Sequence, residues 1–145
     1  MEVSELGLTY KKRVISEDVV NSSIVLSRLF MGMYDKDLMD YRESFFVLFF
    51  DKALKPIGMY RVSEGGTSCT VVDVKMVFSA ALLCGASAMA ISHNHPSGSL
   101  KPSLEDNKLT NKIKESCKLL DIRFVDHIIL ASSGKYFSYL DEGLV

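Results

Sequence analysis

Two of the chain's three histidines stand one residue apart in Ser92-His93-Asn94-His95-Pro96-Ser97-Gly98, and Ser103-Leu104-Glu105-Asp106 follows shortly after. The apolar run Ala88-Met89-Ala90-Ile91 leads into them and predicts a buried strand. Alternate side chains of a strand share a face, which puts His93 and His95 on one side, about 6.6 Å apart along the chain. Pro96, Ser97 and Gly98 stop that strand and turn the chain. Ser103 is a predicted helix N-cap, with Asp106 in the first turn. A strand end with two imidazoles, a tight turn and a helix start with a carboxylate can converge on one cation. Zinc takes nitrogen and oxygen ligands tetrahedrally, and a catalytic site uses three of them and leaves a position for water. His93, His95 and Asp106 supply that number. Such a site also needs a base for the water's proton, an acidic residue brought in from elsewhere in the chain.

Each feature has a duller explanation. Two imidazoles on a strand can be half buried and hydrogen-bonded to the backbone, and Ser103-x-x-Asp106 can be a capping pair alone. Taken singly, each fits the dull account better. Their joint occurrence between His93 and Asp106, around a turn, favours a site. His127, in Asp126-His127-Ile128-Ile129, lies on an apolar strand and reads as structural or supporting rather than as a ligand. Other H-x-H arrangements fail on spacing. The metallo-β-lactamase type wants an acid where Ser97 stands, the cupin type wants a glutamate at Ser99 or Leu100, and amidohydrolase barrels need a far longer chain.

The elements that must carry these residues follow from pattern. Residues 1–14, with Leu6, Leu8, Tyr10 and Val14, are an expected edge strand. Ser16 is the expected cap of a first helix that ends at Gly32, and Asp35 to Tyr41 is a polar connection. Phe45 to Phe50 is an unbroken apolar, aromatic run and reads as a central strand. Ile57 to Val62 should pair antiparallel to it, and Ser68 to Val72 is a short third strand. Asp73 caps a helix running to Leu83, with Val74, Val77, Phe78, Ala81 and Leu82 on one stripe and Gly85 ending it. The helix begun at Ser103 turns Leu109, Ile113, Cys117 and Leu120 inward. Its lysines 108, 112, 114 and 118 interleave with acids and lie outward as a solvated face. Ile122 to Leu130 and Tyr136 to Leu140 complete a mixed sheet with about three helices, an α/β (α+β) single domain.

The bulk properties restrict the function class. The chain has 145 residues, 48% of them hydrophobic, enough for one domain with a real core. A net charge of −1 gives no global field toward nucleic acid or an anionic membrane. Lys11-Lys12-Arg13 is short and reads as a solvated turn. Cys69, Cys84 and Cys117 are odd in number and far apart, against a disulfide framework or a cysteine zinc knuckle. No basic-then-apolar leader opens the chain and no apolar run approaches a membrane span, so cytoplasmic localisation is the default expectation.

His93-x-His95, seven residues, Ser103, two residues, Asp106 resembles the JAMM (MPN+) metalloprotease signature in full. The longer string HNHPSGSLKPSLEDNKLT, followed by LLDIRFVDHIIL and GKYFSYLDEGL, is similar to the RadC-type branch, from about Ser16 to the C-terminus. The resemblance implies one MPN/JAB domain over residues 1–145, with cytidine-deaminase-like layering and residues 1–15 as a less certain edge. No counterpart of the helix-hairpin-helix region of longer RadC proteins is expected, and Asp73-Val74 stands where many members have His-Pro. The resemblance also implies zinc on His93, His95 and Asp106, Glu43 as general base ahead of Ser44-Phe45-Phe46-Val47-Leu48, and Ser103 holding the oxyanion. By itself Glu43 is only a charge at a strand end. The implied reaction is cleavage of a peptide or isopeptide bond in a peptide or protein substrate. The RadC likeness also invites a DNA-repair or mobile-element accessory role through binding. Nucleic acid enters by that analogy alone, since the chain has no basic stripe and no hairpin-helix module. A third alternative is a metal-stabilised module that recognises a peptide tail by strand addition without cutting it.

Overall fold

A computed structural model describes residues 3–11, 18–65 and 71–145. In chain order the elements are α1 (Ser23–Met31), β1 (Ser44–Phe50), β2 (Pro56–Glu64), α2 (Val74–Leu83), β3 (Ala88–Asn94), α3 (Leu104–Leu119), β4 (Arg123–Leu130) and β5 (Tyr136–Ser138). The strands form one mixed sheet in the order β2-β1-β3-β4-β5. β1 is antiparallel to both β2 and β3, β3 is parallel to β4, and β5 is antiparallel to β4.

The apolar run of β1 is buried along nearly its whole length because helices cover both faces of the sheet. Phe46, Leu48 and Phe50 join Ala88, Ala90, Ile128 and Leu130 in a core with Leu26 and Phe30 of α1. Phe45, Val47 and Phe49 join Met89 and Ile91 in a second core with Val77, Phe78 and Ala81 of α2 and Ile113 and Cys117 of α3. The period-2 alternation thus assigns every odd-numbered residue of β1 and β3 to the α2/α3 side. His93 belongs to that side, and Asn94 to the other.

Caps mark the helices. Asp73 accepts the Lys75 N–H at 3.0 Å and starts α2, and Gly85, at φ +64°, lets the chain leave it. Ser103 and Asp106 form a reciprocal capping box at the start of α3. The first helix begins later than expected. Its cap is Ser22, whose hydroxyl accepts the Val25 N–H, while Ser16 lies outside the described residues. Several other expectations need correction. Residues 3–11 contain no strand: Leu6 and Leu8 have no partner strand to cover them and are 87% and 82% exposed. Val14 lies outside the described residues. So does most of the expected strand from Ser68, and Val71 and Val72 are irregular. Leu82 and Leu120 sit at helix ends beyond the reach of the sheet and are exposed. β5 stops at Ser138 because the buried Asp126 carboxylate accepts the Leu140 N–H at 2.9 Å, turning the chain out of the ladder. Among the described residues no helix is long and apolar enough to cross a membrane.

Candidate metal centre

The C-terminal end of β3, the start of α3 and the approach to β1 meet on the α2/α3 side of the sheet. His93 is on the last turn of the ladder, paired with Phe45 of β1 and Ile129 of β4, and is fully buried. His95 follows just past the strand. The intervening turn is closed by Gly98 N–H donating to the His95 carbonyl at 2.9 Å, with Gly98 at φ +79°. That left-handed conformation favours glycine. The turn delivers Ser103 and the first turn of α3, so Asp106 comes back over the two imidazoles. Glu43 precedes β1 by one residue and shares the parity of Phe45, which aims it at the same place.

The distances make a compact group. His93 Nε2 lies 2.9 Å from His95 Nε2 and 3.2 Å from Asp106 Oδ1, and His95 Nε2 lies 3.1 Å from Asp106 Oδ2. Glu43 Oε1 stands 4.0 Å from His93 Nε2. One ligand atom from each of Glu43, His93, His95 and Asp106 falls within 4.8 Å of the others, so this group could hold a metal ion. Ser103 is placed differently. Its hydroxyl accepts the Asp106 N–H at 3.0 Å, and its own N–H donates to Asp106 Oδ2 at 2.8 Å. It orients the aspartate and stands at the rim, exposed.

The surrounding hydrogen bonds determine which nitrogens carry protons. Thr110 Oγ1 donates to the Asp106 carbonyl at 2.6 Å, so toward His127 Nδ1, also at 2.6 Å, it must accept. His127 therefore carries its proton on Nδ1 and accepts through Nε2. Its partner there is His93 Nδ1 at 2.7 Å, which must donate. Burial keeps His127 well below its ordinary pKa, so it is neutral, as this chain requires. Tyr139 holds the ring flat, stacked at 4.7 Å, with its own hydroxyl donating to Asn107 Oδ1. His95 Nδ1 donates to the Ser99 carbonyl at 2.8 Å. Both His93 and His95 thus have Nδ1 committed as a donor and Nε2 facing the carboxylates. This is the arrangement that fits a cation: two nitrogen lone pairs and a carboxylate converge, and only a proton or a metal can relieve their repulsion.

Electrostatics agree. Burial opposes the charge on Asp106, but the hydrogen bonds that His93 and His95 donate once Nε2 takes up a proton, with the Ser103 N–H, outweigh it and hold the carboxyl far below its usual range. The hydrogen bond to Asp106 raises the His95 pKa, against burial. Burial pushes Glu43 up, against the attraction of His93 and His95.

The residues singled out from sequence, His93, His95, Asp106 and Glu43, are all brought together, and Ser103 borders them. His127 is a supporting group, in accord with its apolar strand. Thr110 and Asn94 were not singled out. For Thr110 the available signal was its place four residues after Asp106, one turn along the same helix face.

A family model described as the RadC-like JAB domain matches residues 11–144. A UPF0758 protein of Flavobacterium johnsoniae is 43% identical over 102 residues, covering 70% of this chain and 44% of the relative. One from Porphyromonas gingivalis is 37% identical over 141 residues, covering 96% of this chain and 62% of the relative. One from Haemophilus ducreyi is 42% identical over 101 residues, covering 70% and 45%. The chain spans about half the length of these relatives.

Proposed function

The chain belongs to the RadC-like JAB domain family, and from that premise we propose that it is a zinc-dependent hydrolase of JAMM type acting on peptide or isopeptide bonds. The observation that carries the reading is the convergence of two lone-pair nitrogens and a carboxylate, with a second carboxylate, that of Glu43, 4.0 Å away from His93 Nε2. His93, His95 and Asp106 would hold the ion. A bound zinc supplies Lewis-acid polarisation of a carbonyl and a water that is acidic near neutral pH.

The chain's own groups do the rest. Glu43, held just beyond bonding distance of His93, takes a proton from the attacking water and passes it to the leaving amine. Its raised pKa matches it to both transfers. The Ser103 hydroxyl, at the helix start, can turn its proton toward a developing oxyanion while its oxygen keeps the Asp106 N–H. The peptide substrate class rests on the family resemblance, because no feature of the site selects one amide over another.

Elemental analysis of purified protein tests the first half. The expected result is one equivalent of zinc, lost in His95→Ala. A library of fluorescence-quenched peptides, with an isopeptide-linked pair beside it, tests the second. Glu43→Gln should retain zinc and lose turnover by at least about a hundredfold. Protein without stoichiometric metal, or full turnover in Glu43→Gln, would overturn the reading.

A further inference from the structure

We propose that Asn94, the residue between the two histidines, is a positioning residue for Glu43. It clamps the segment leading into β1 from the opposite face of the sheet and so sets where the Glu43 carboxylate meets the metal centre. The inference rests on the hydrolytic reading above, with Glu43 as the base.

Alternation in β3 turns Asn94 away from its two neighbours, toward the α1 side, where it is fully buried. Its amide is used completely. Nδ2 donates to the Met39 carbonyl and to the Arg42 carbonyl, each at 2.8 Å, and Oδ1 accepts the Ser44 N–H at 2.8 Å. The segment from Asp35 to Arg42 is a run of turns whose own backbone bonds end on the carbonyls of Asp35 and Leu38. Asn94 serves two carbonyls that these turns leave open, those of Met39 and Arg42. The β1–β3 register ends at Phe45 and His93, so Ser44 lies one residue beyond the paired ladder, and Asn94 Oδ1 takes over as acceptor for its N–H. The residues on both sides of Glu43 are thereby tied to one side chain, while Glu43's own carbonyl accepts the Gly65 N–H at 2.8 Å from the β2 edge. Two donors and an acceptor at this reach are what a primary amide supplies. A carboxylate has no donors, and a hydroxyl has one. Because the next residues on either side are His93 and His95, the same strand segment holds the metal ligands toward one face and the base's backbone toward the other.

The test uses cobalt(II), whose visible bands report the surroundings of a bound ion. Asn94→Ala and the near-isosteric Asn94→Asp should bind cobalt within about threefold of the unaltered protein, because no ligand is touched. Their visible bands should shift as those of Glu43→Gln do. Adding Asn94→Ala to Glu43→Gln should shift them no further, since both changes act through one carboxylate. In Asn94→Ala the Ser44 amide should exchange with solvent at least about tenfold faster, as expected for one lost hydrogen bond, whereas Asn94→Asp, which keeps the acceptor and loses the two donors, should leave it slow. Loss of cobalt binding in both Asn94 variants, bands like those of the unaltered protein, or additive shifts would overturn the proposal. Should the unaltered protein bind no cobalt, the hydrolytic reading fails by itself, and with it the role of Glu43 as base. Ser44 exchange then decides the clamp alone, and an unchanged rate in Asn94→Ala would end it.

Discussion

The proton on His93 is placed by a residue that is not among the four of the candidate metal group. Thr110 spends its hydroxyl proton on the Asp106 carbonyl, and that single commitment propagates: His127 must donate to it, His93 must donate to His127, and Nε2 of His93 is left bare. Thr110→Val keeps the shape and removes the acceptor. His127 Nδ1–H is then buried without a partner, and the opposite tautomer, which would leave two acceptors facing His93 or force its ring to turn, gains ground. Metal affinity should fall about ten- to a hundredfold, measured by competition with a chromophoric chelator, and Thr110→Ser should restore most of it. Equal affinity in Thr110→Val would show that the ring orientation is set by packing against Tyr139 alone. This relay marks a limit of reading chemistry from sequence. His93, His95 and Asp106 announce themselves through residue type and spacing, whereas a buried threonine in a helix is indistinguishable from any other small core residue until its neighbours are known.

At the scale of elements, the start of α3 performs two tasks with one residue. Ser103 caps the helix, and in the proposed reaction its hydroxyl also faces the oxyanion. The tasks separate by substitution. Ser103→Ala should lower stability by about 1 kcal/mol, whereas Ser103→Asp, which can still cap, should stay near the unaltered value. Thermal unfolding measures both. Neither variant retains a hydroxyl, so turnover should fall in both. Zinc should remain in Ser103→Ala, because the bond that orients Asp106 comes from the Ser103 backbone N–H at 2.8 Å. A stability loss without any loss of turnover would confine Ser103 to capping. Elements with strong local signals were legible: the apolar runs of β1 and β3, the Asp73 cap and the capping box all lie where their residues place them. Elements decided by competition were not. The first helix was expected to be capped by Ser16, whereas Ser22 is the residue whose hydroxyl accepts the Val25 N–H. The end of β5 depends on the buried Asp126, whose carboxylate accepts from His127 N, Ser138 Oγ and Leu140 N. No local pattern around Tyr139 reveals that interference.

The whole molecule assembles the site through topology. Two cores on opposite faces of one sheet fix β1, β3 and α3, whose ends carry the residues of the site. The protein should therefore stay folded when chelated, unlike small domains whose core is the metal itself. Metal then adds stability by mass action, about 4 kcal/mol when free ion stands a thousandfold above its dissociation constant. The pH dependence of that increment identifies the competing proton. In the metal-free protein the His95 pKa is raised, chiefly by its hydrogen bond to Asp106. A raised histidine contributes stability that is complete below its ordinary value of 6.5 and is lost as pH rises through the raised one. Metal excludes this proton, so below the raised value the ion must displace it, and affinity falls about tenfold per pH unit for each proton displaced. His127 has the opposite sign. Burial depresses it, so its contribution is present above 6.5 and is lost as pH falls through the depressed value. His127 is neutral with or without the ion, however, and cancels from the difference between the two forms. The gap in unfolding temperature between zinc-loaded and chelated protein should consequently be widest near pH 8 and close steadily toward pH 5. Replacing His127 with asparagine would lower both curves while leaving the slope of the gap in place. A gap independent of pH would mean that no protonated His95 is displaced, and the ion would then be bound somewhere other than between these two imidazoles.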